Sequence, residues 1–146
     1  ARKPQGNDRD QVKAIKEGVC DLSLGNSYYL GKMLQDEEQK SWADAVYINF
    51  PNQKDRGAHV NVSGVVMTKY ARNKAAAVKL MEFLSADKAQ QMYAELNMEY
   101  PVKAGVAPSK LVASWGEFKP DALPVAQIAS YRKQAIALID KVKFDL

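Results

Sequence analysis

Short β-rich stretches alternate along this chain with segments of helical periodicity, and this alternation limits its fold more than any single motif does. The first unit reads helix, strand, helix. Gly6-Asn7-Asp8-Arg9-Asp10 predicts a helix start, with Asn7 or Asp8 as N-cap and Asp10 in the first turn. Val12 and Ile15 give that helix an apolar edge, and Gly18 supplies a left-handed C-cap. Val19 to Leu24 predicts a short strand, and Gly25-Asn26-Ser27 leads into a second helix from about Tyr28 to Gln35. Parallel strands need crossovers of about a dozen residues or more, and here no strand precedes the first helix. The expectation is α/β architecture that forms part of a larger fold, an incomplete fragment.

The rest of the chain keeps the same texture. Val46, Ile48 and Phe50 alternate with polar neighbours in a strand from Asp44 to Phe50, stopped by Pro51. Asn52 to Ala58 is a polar loop, and His59 to Met67 is a second β-rich run. Asn73 predicts the cap of a helix through Leu84. Ser85 predicts the N-cap of another, Ala86 to Leu96, closed at Asn97. A short strand near Tyr100 to Val102 follows. Ser109 caps a short helix to Trp115, and Pro124 opens a longer one to about Val142, with Val125, Ile128, Ala135, Ile139 and Val142 as its apolar stripe. The expected divisions are 1–50, 51–102 and 103–146.

Composition narrows the function. Hydrophobic content of 47% and charged content of 26% are those of an ordinary globular protein. No apolar run is long enough for a transmembrane helix, so no membrane insertion is expected. The net charge of +4 is spread along the chain. The tightest basic groups, Lys69 to Lys74 and Arg132-Lys133, read as solvated helix edges rather than a nucleic-acid surface. Cys20 is the single cysteine; it excludes an internal disulfide and reads as a small buried hydrophobe. One histidine, one cysteine, no G-x-S-x-G, no P-loop and no His/Glu/Asp cluster argue against an enzyme.

The segment with chemical potential is Gly25-Asn26-Ser27-Tyr28-Tyr29-Leu30-Gly31, at a strand-to-helix junction where open α/β sheets place ligands. Successive helical residues point about 100° apart. With Tyr28 at the still-extended start and Tyr29 in the first turn, both hydroxyls lean over one cleft. Paired phenolates suit a hard, highly charged cation; partly buried packing with solvated hydroxyls is the plainer reading. Asn26 and Ser27 could hold an accompanying anion or orient a phenolate, and each is equally an N-cap. His59 reads as a structural hydrogen-bonding residue rather than a ligand. Arg9 and Asp10 serve the helix start and the surface, as does Arg2 unless it lines the cleft. Tyr47, Tyr70, Tyr93, Tyr100 and Tyr131 read as packing.

The run from Ala1 to Gln11, then Gly18-Val19-Cys20-Asp21-Leu22 and Gly25-Asn26-Ser27-Tyr28-Tyr29, resembles the periplasmic ferric-iron-binding proteins of bacterial ABC importers. His59-Val60-Asn61-Val62-Ser63-Gly64, Met81-Glu82-Phe83-Leu84-Ser85 and Ser114-Trp115-Gly116 are similar to the same family. The resemblance covers the whole chain but only the C-terminal half of a family member. It implies a two-lobe type II periplasmic-binding-protein fold that closes over Fe(III), with Tyr28 and Tyr29 as phenolate ligands from the C-terminal lobe. It also implies that the other ligands, in some members with a synergistic anion such as carbonate, lie with an N-terminal lobe absent from these residues. On this reading 51–102 carries the interlobe connection, and the partners are an ABC permease and its ATPase. A same-fold protein for a polyamine or an oxyanion, and a small α/β interaction domain without metal, are the alternatives.

Overall fold

The computed structural model describes Lys3 and residues 5–144, so Arg2 lies outside the described residues. Eight helices form among them. The first, α1 (Asp8–Lys16), starts where its sequence dictates. The Asn7 side chain accepts from the Arg9 and Asp10 amides, and the Asp10 carboxylate accepts from the Asn7 amide at 2.8 Å. This reciprocal box satisfies donors that a helix start otherwise leaves unpaired. Gly18 follows at φ +71°, the left-handed backbone that the C-terminal turn requires.

Next come α2 (Ser27–Leu34) and α3 (Lys40–Ala43). These three helices contact one another around Leu30, Met33 and Ala43, with Val12, Leu34, Trp42, Val46 and Ile48 packed against that centre. The pair α4 (Lys74–Leu84) and α5 (Asp87–Leu96) is followed by α6 (Lys110–Ala113). Buried Ala89, Gln90, Ala94, Met98 and Val112 tie that region together. Gln90 is a polar side chain inside this packing, and both its ends are satisfied. Its amide donates to the Leu84 carbonyl at 2.9 Å, and its oxygen accepts the Val102 amide at 3.0 Å.

Several expectations need correction. None of the four predicted strands forms a ladder among the described residues. The one β-pairing among the described residues is an isolated parallel bridge between Ala58 and Pro120. A strand exists only beside another at about 4.8 Å, and no described segment comes alongside these. Leu22, Leu24 and Val66 are each about four-fifths exposed as a result (79%, 82% and 85%).

The helix predicted from Pro124 to Val142 is two helices, α7 (Val125–Ser130) and α8 (Arg132–Val142), broken at Tyr131. Its stripe is largely exposed instead of packed. Ser85 closes α4 through its hydroxyl on the Met81 carbonyl, and Ala86 is the N-cap of α5. Cys20 is half-buried rather than buried. Tyr47 and Tyr70 stand in solvent, whereas Tyr100 packs edge-on against Phe118, which stacks on Phe50.

A clasp joins residues 50–58 to 118–121. Gln53 and the Lys119 backbone exchange two hydrogen bonds, and the Ala58 amide donates to the Lys119 carbonyl at 2.8 Å. The Asp121 amide donates to the Ala58 carbonyl, and Arg56 pairs with the Asp121 carboxylate at 3.5 Å. Gly57 makes this possible: its φ is +99°, and a Cβ there would stand 2.5 Å from the Lys119 carbonyl oxygen. Gly57→Ala is therefore expected to cost about 2 kcal/mol or more, since strain and a backbone clash act together. Chemical denaturation would show it as a lower midpoint with an unchanged slope.

Candidate metal centre

The tyrosine pair sits on the first turn of α2. Asn26 is still extended (φ −81°, ψ 130°), and Ser27 is the first helical residue. Both tyrosines are thus already helical, where the sequence reading placed Tyr28 at an extended start. The inward face of the helix is occupied by Leu30, Gly31 and Met33, all buried. This leaves Tyr28 and Tyr29 half-buried at the N-terminal rim. Their ring centroids lie 4.4 Å apart at a tilt of 38°.

Tyr28 is pushed up to about 12, first by its hydrogen-bonding contact with the Tyr29 hydroxyl and then by burial. Negative charge from an ionised Tyr29, from Asp8 and from Glu99 acts in the same direction. Two cations face the rings instead of the oxygens. The Arg9 guanidinium carbon is 5.9 Å from the Tyr29 centroid, and the Lys32 ammonium is 5.6 Å from that of Tyr28.

Asn26 does not cap α2 with its side chain. Its backbone amide donates to the Asp8 carboxylate at 2.9 Å, and its side-chain nitrogen donates to the same oxygen at 3.4 Å. Its side-chain oxygen accepts from the Asn61 amide nitrogen at 3.0 Å. The Ser27 hydroxyl makes no hydrogen bond among the described residues. Asp8, Arg9, Lys32 and Asn61 are thus neighbours of the pair that sequence reasoning did not assign to it. For Lys32 a signal existed: it stands four residues after Tyr28 on one helix.

His59 is exposed, at a small hollow lined by Val60, Val62, Leu123, Val125 and Ile128. It makes no hydrogen bond among the described residues, so the expected structural bond is not formed there. No group of three or more His, Cys, Asp or Glu residues is arranged for a metal ion among the described residues. A hollow of about 570 Å³ between α5 and residues 105–110 does not include the tyrosines.

Residues 7–120 match the bacterial extracellular solute-binding protein family, and the chain belongs to it. Among particular proteins, the chain is 53% identical over 123 residues to iron uptake protein A1 of Synechocystis, covering 83% of this chain and 34% of that one. The apo ferric ion-binding protein A of Pasteurella haemolytica superposes with a TM-score of 0.94 at 62% identity, over all of this chain and 46% of that one. A Trichodesmium protein in complex with iron and citrate gives 0.89 at 42% identity, over 99% of this chain and 46% of that one. The chain therefore spans a third to a half of the length of these relatives. It has the fold of just under half of a two-lobe ferric-binding protein, and the predicted strands are the segments left unpaired in it. No described helix is long and apolar enough to cross a membrane.

Proposed function

We propose that this chain is part of a periplasmic protein that binds ferric iron through Tyr28 and Tyr29 and hands it to an ABC importer. The carrying observation is the pairing of two neighbouring tyrosine rings, 4.4 Å apart, at the N-terminal rim of α2. Hard trivalent iron favours anionic oxygen donors and supplies the charge that ionises them. The iron is cargo, and no catalytic step is involved. The remaining ligands come from the other part of the polypeptide, consistent with the share of the relatives that this chain covers. The Ser27 hydroxyl and the Asn26 side chain are the groups proposed to hold a small anion such as carbonate. The docking partners are the permease and its ATPase.

Ferric titration of the native protein is expected to produce a visible tyrosinate-to-iron charge-transfer band. A colourless complex would exclude phenolate ligation. Acidity should oppose binding, because each phenol must release a proton before it can ligate. Two ligating phenols give a decline in log affinity approaching about 2 per pH unit lost. Because Tyr28 keeps its proton up to about 12, its share of this slope should persist through neutrality. Competition titrations between about pH 6 and 8 measure it; a flat profile contradicts the assignment.

A further inference from the structure

The geometry points to Asp8 and Asn61 as positioning residues that hold the tyrosine pair in place through Asn26. The inference deepens the iron-binding reading and rests on it for its functional meaning. Asn26 immediately precedes the helical turn bearing the tyrosines, so its orientation sets the angle at which that turn leaves the preceding segment. Three hydrogen bonds fix it. Two end on one Asp8 oxygen, at 2.9 and 3.4 Å, and the third comes from Asn61 at 3.0 Å. They tie α2 to α1 on one side and to the 59–67 segment on the other.

An acidic residue in the first turn of α1 would favour that helix through its charge alone. Asp8 does more, because its oxygen is directed at a backbone amide eighteen residues away. Gly25 provides the room. A Cβ on Gly25 would stand 3.2 Å from the same Asp8 oxygen, so a side chain there would press on the carboxylate that reaches Asn26. Asn26 is also a residue type whose usual contribution at a helix start is to cap it. Here its side chain is engaged by Asp8 and Asn61 instead. Outer partners that orient metal ligands typically contribute about 10–100-fold to affinity.

The test uses the longest native polypeptide that carries these residues, with ring-labelled tyrosine. In the iron-free protein, the tilted, closely paired rings should give Tyr28 and Tyr29 resonances displaced by mutual ring currents. Asp8→Ala and Asn61→Ala should reduce that displacement, whereas Asp8→Asn, whose amide oxygen still accepts, should preserve it. With ferric iron, the two alanine variants should shift the charge-transfer band and release iron to a competing chelator about tenfold faster. Wild-type ring shifts in both alanine variants would overturn the proposal. So would an Asp8→Asn protein that behaves like Asp8→Ala, since charge rather than hydrogen bonding would then be responsible. Asn61 is exposed, so its variant keeps the test decisive should Asp8→Ala not fold. A wild-type protein that takes up no iron would remove the iron reading, while the ring shifts would still decide whether the bonds position the pair.

Discussion

Tyr28→Phe and Tyr29→Phe are each expected to remove most of the visible ferric band and to weaken iron binding by more than about a hundredfold. The scale follows from comparison. Loss of an outer partner typically costs about 10–100-fold, and on the proposed reading these changes delete a ligand. Stability should change little, because each ring remains to face its cation and only a half-buried hydroxyl is removed; such changes usually stay within about 0.5 kcal/mol. The two variants should also differ without iron. Tyr29→Phe deletes the oxygen that holds the Tyr28 proton, so Tyr28 should ionise closer to the ordinary tyrosine value than to 12. Ultraviolet titration of phenolate absorbance follows this directly. Retention of both the band and the affinity in either single variant would show that the deleted oxygen is not a ligand.

The second large effect lies behind the tyrosines. A Cβ on Gly31 would stand 2.6 Å from both Cβ and Cγ of Met98 and 3.3 Å from the Trp115 ring. Met98 cannot easily retreat: it is 2% exposed, and its backbone has φ +59°. Replacing a mid-helix glycine by alanine ordinarily stabilises by about 1 kcal/mol. Here overpacking should reverse the sign, with a net loss of about 1–3 kcal/mol for Gly31→Ala and more for Gly31→Val. Gly64→Ala is the control, since nothing lies within 4 Å of its would-be Cβ. Thermal unfolding should separate the two clearly; equal melting temperatures would show that the Met98 contact is not tight. Displacement of α2 should also weaken iron binding, because the tyrosines lie on the same helix.

Helix starts were the most legible part of the fold. The Asn7 and Asp10 box and the Ser109 cap depend on residues two to three positions apart, and each appears where the local pattern placed it. The strands were not legible in the same way. Alternation in Val46, Ile48 and Phe50 describes a surface, and a ladder needs a second segment that local pattern cannot supply. The division of the last long helix at Tyr131 had no glycine or proline to announce it. The tyrosine pair itself could be seen from its neighbours in sequence. Its hydrogen-bonded surroundings could not, because Asp8 and Asn61 reach Asn26 across 18 and 35 positions. No spacing rule connects residues so far apart.

The clasp at Gly57 and Lys119 closes the intervening chain into a lasso that contains α4, α5 and α6. A lasso shut at its neck loses freedom as a unit, and the entropy of closure depends only weakly on the length enclosed. Lengthening the turn around Gly105 should therefore be tolerated far better than loosening the neck. The neck is where α4–α6 are anchored to the segment that follows α1–α3.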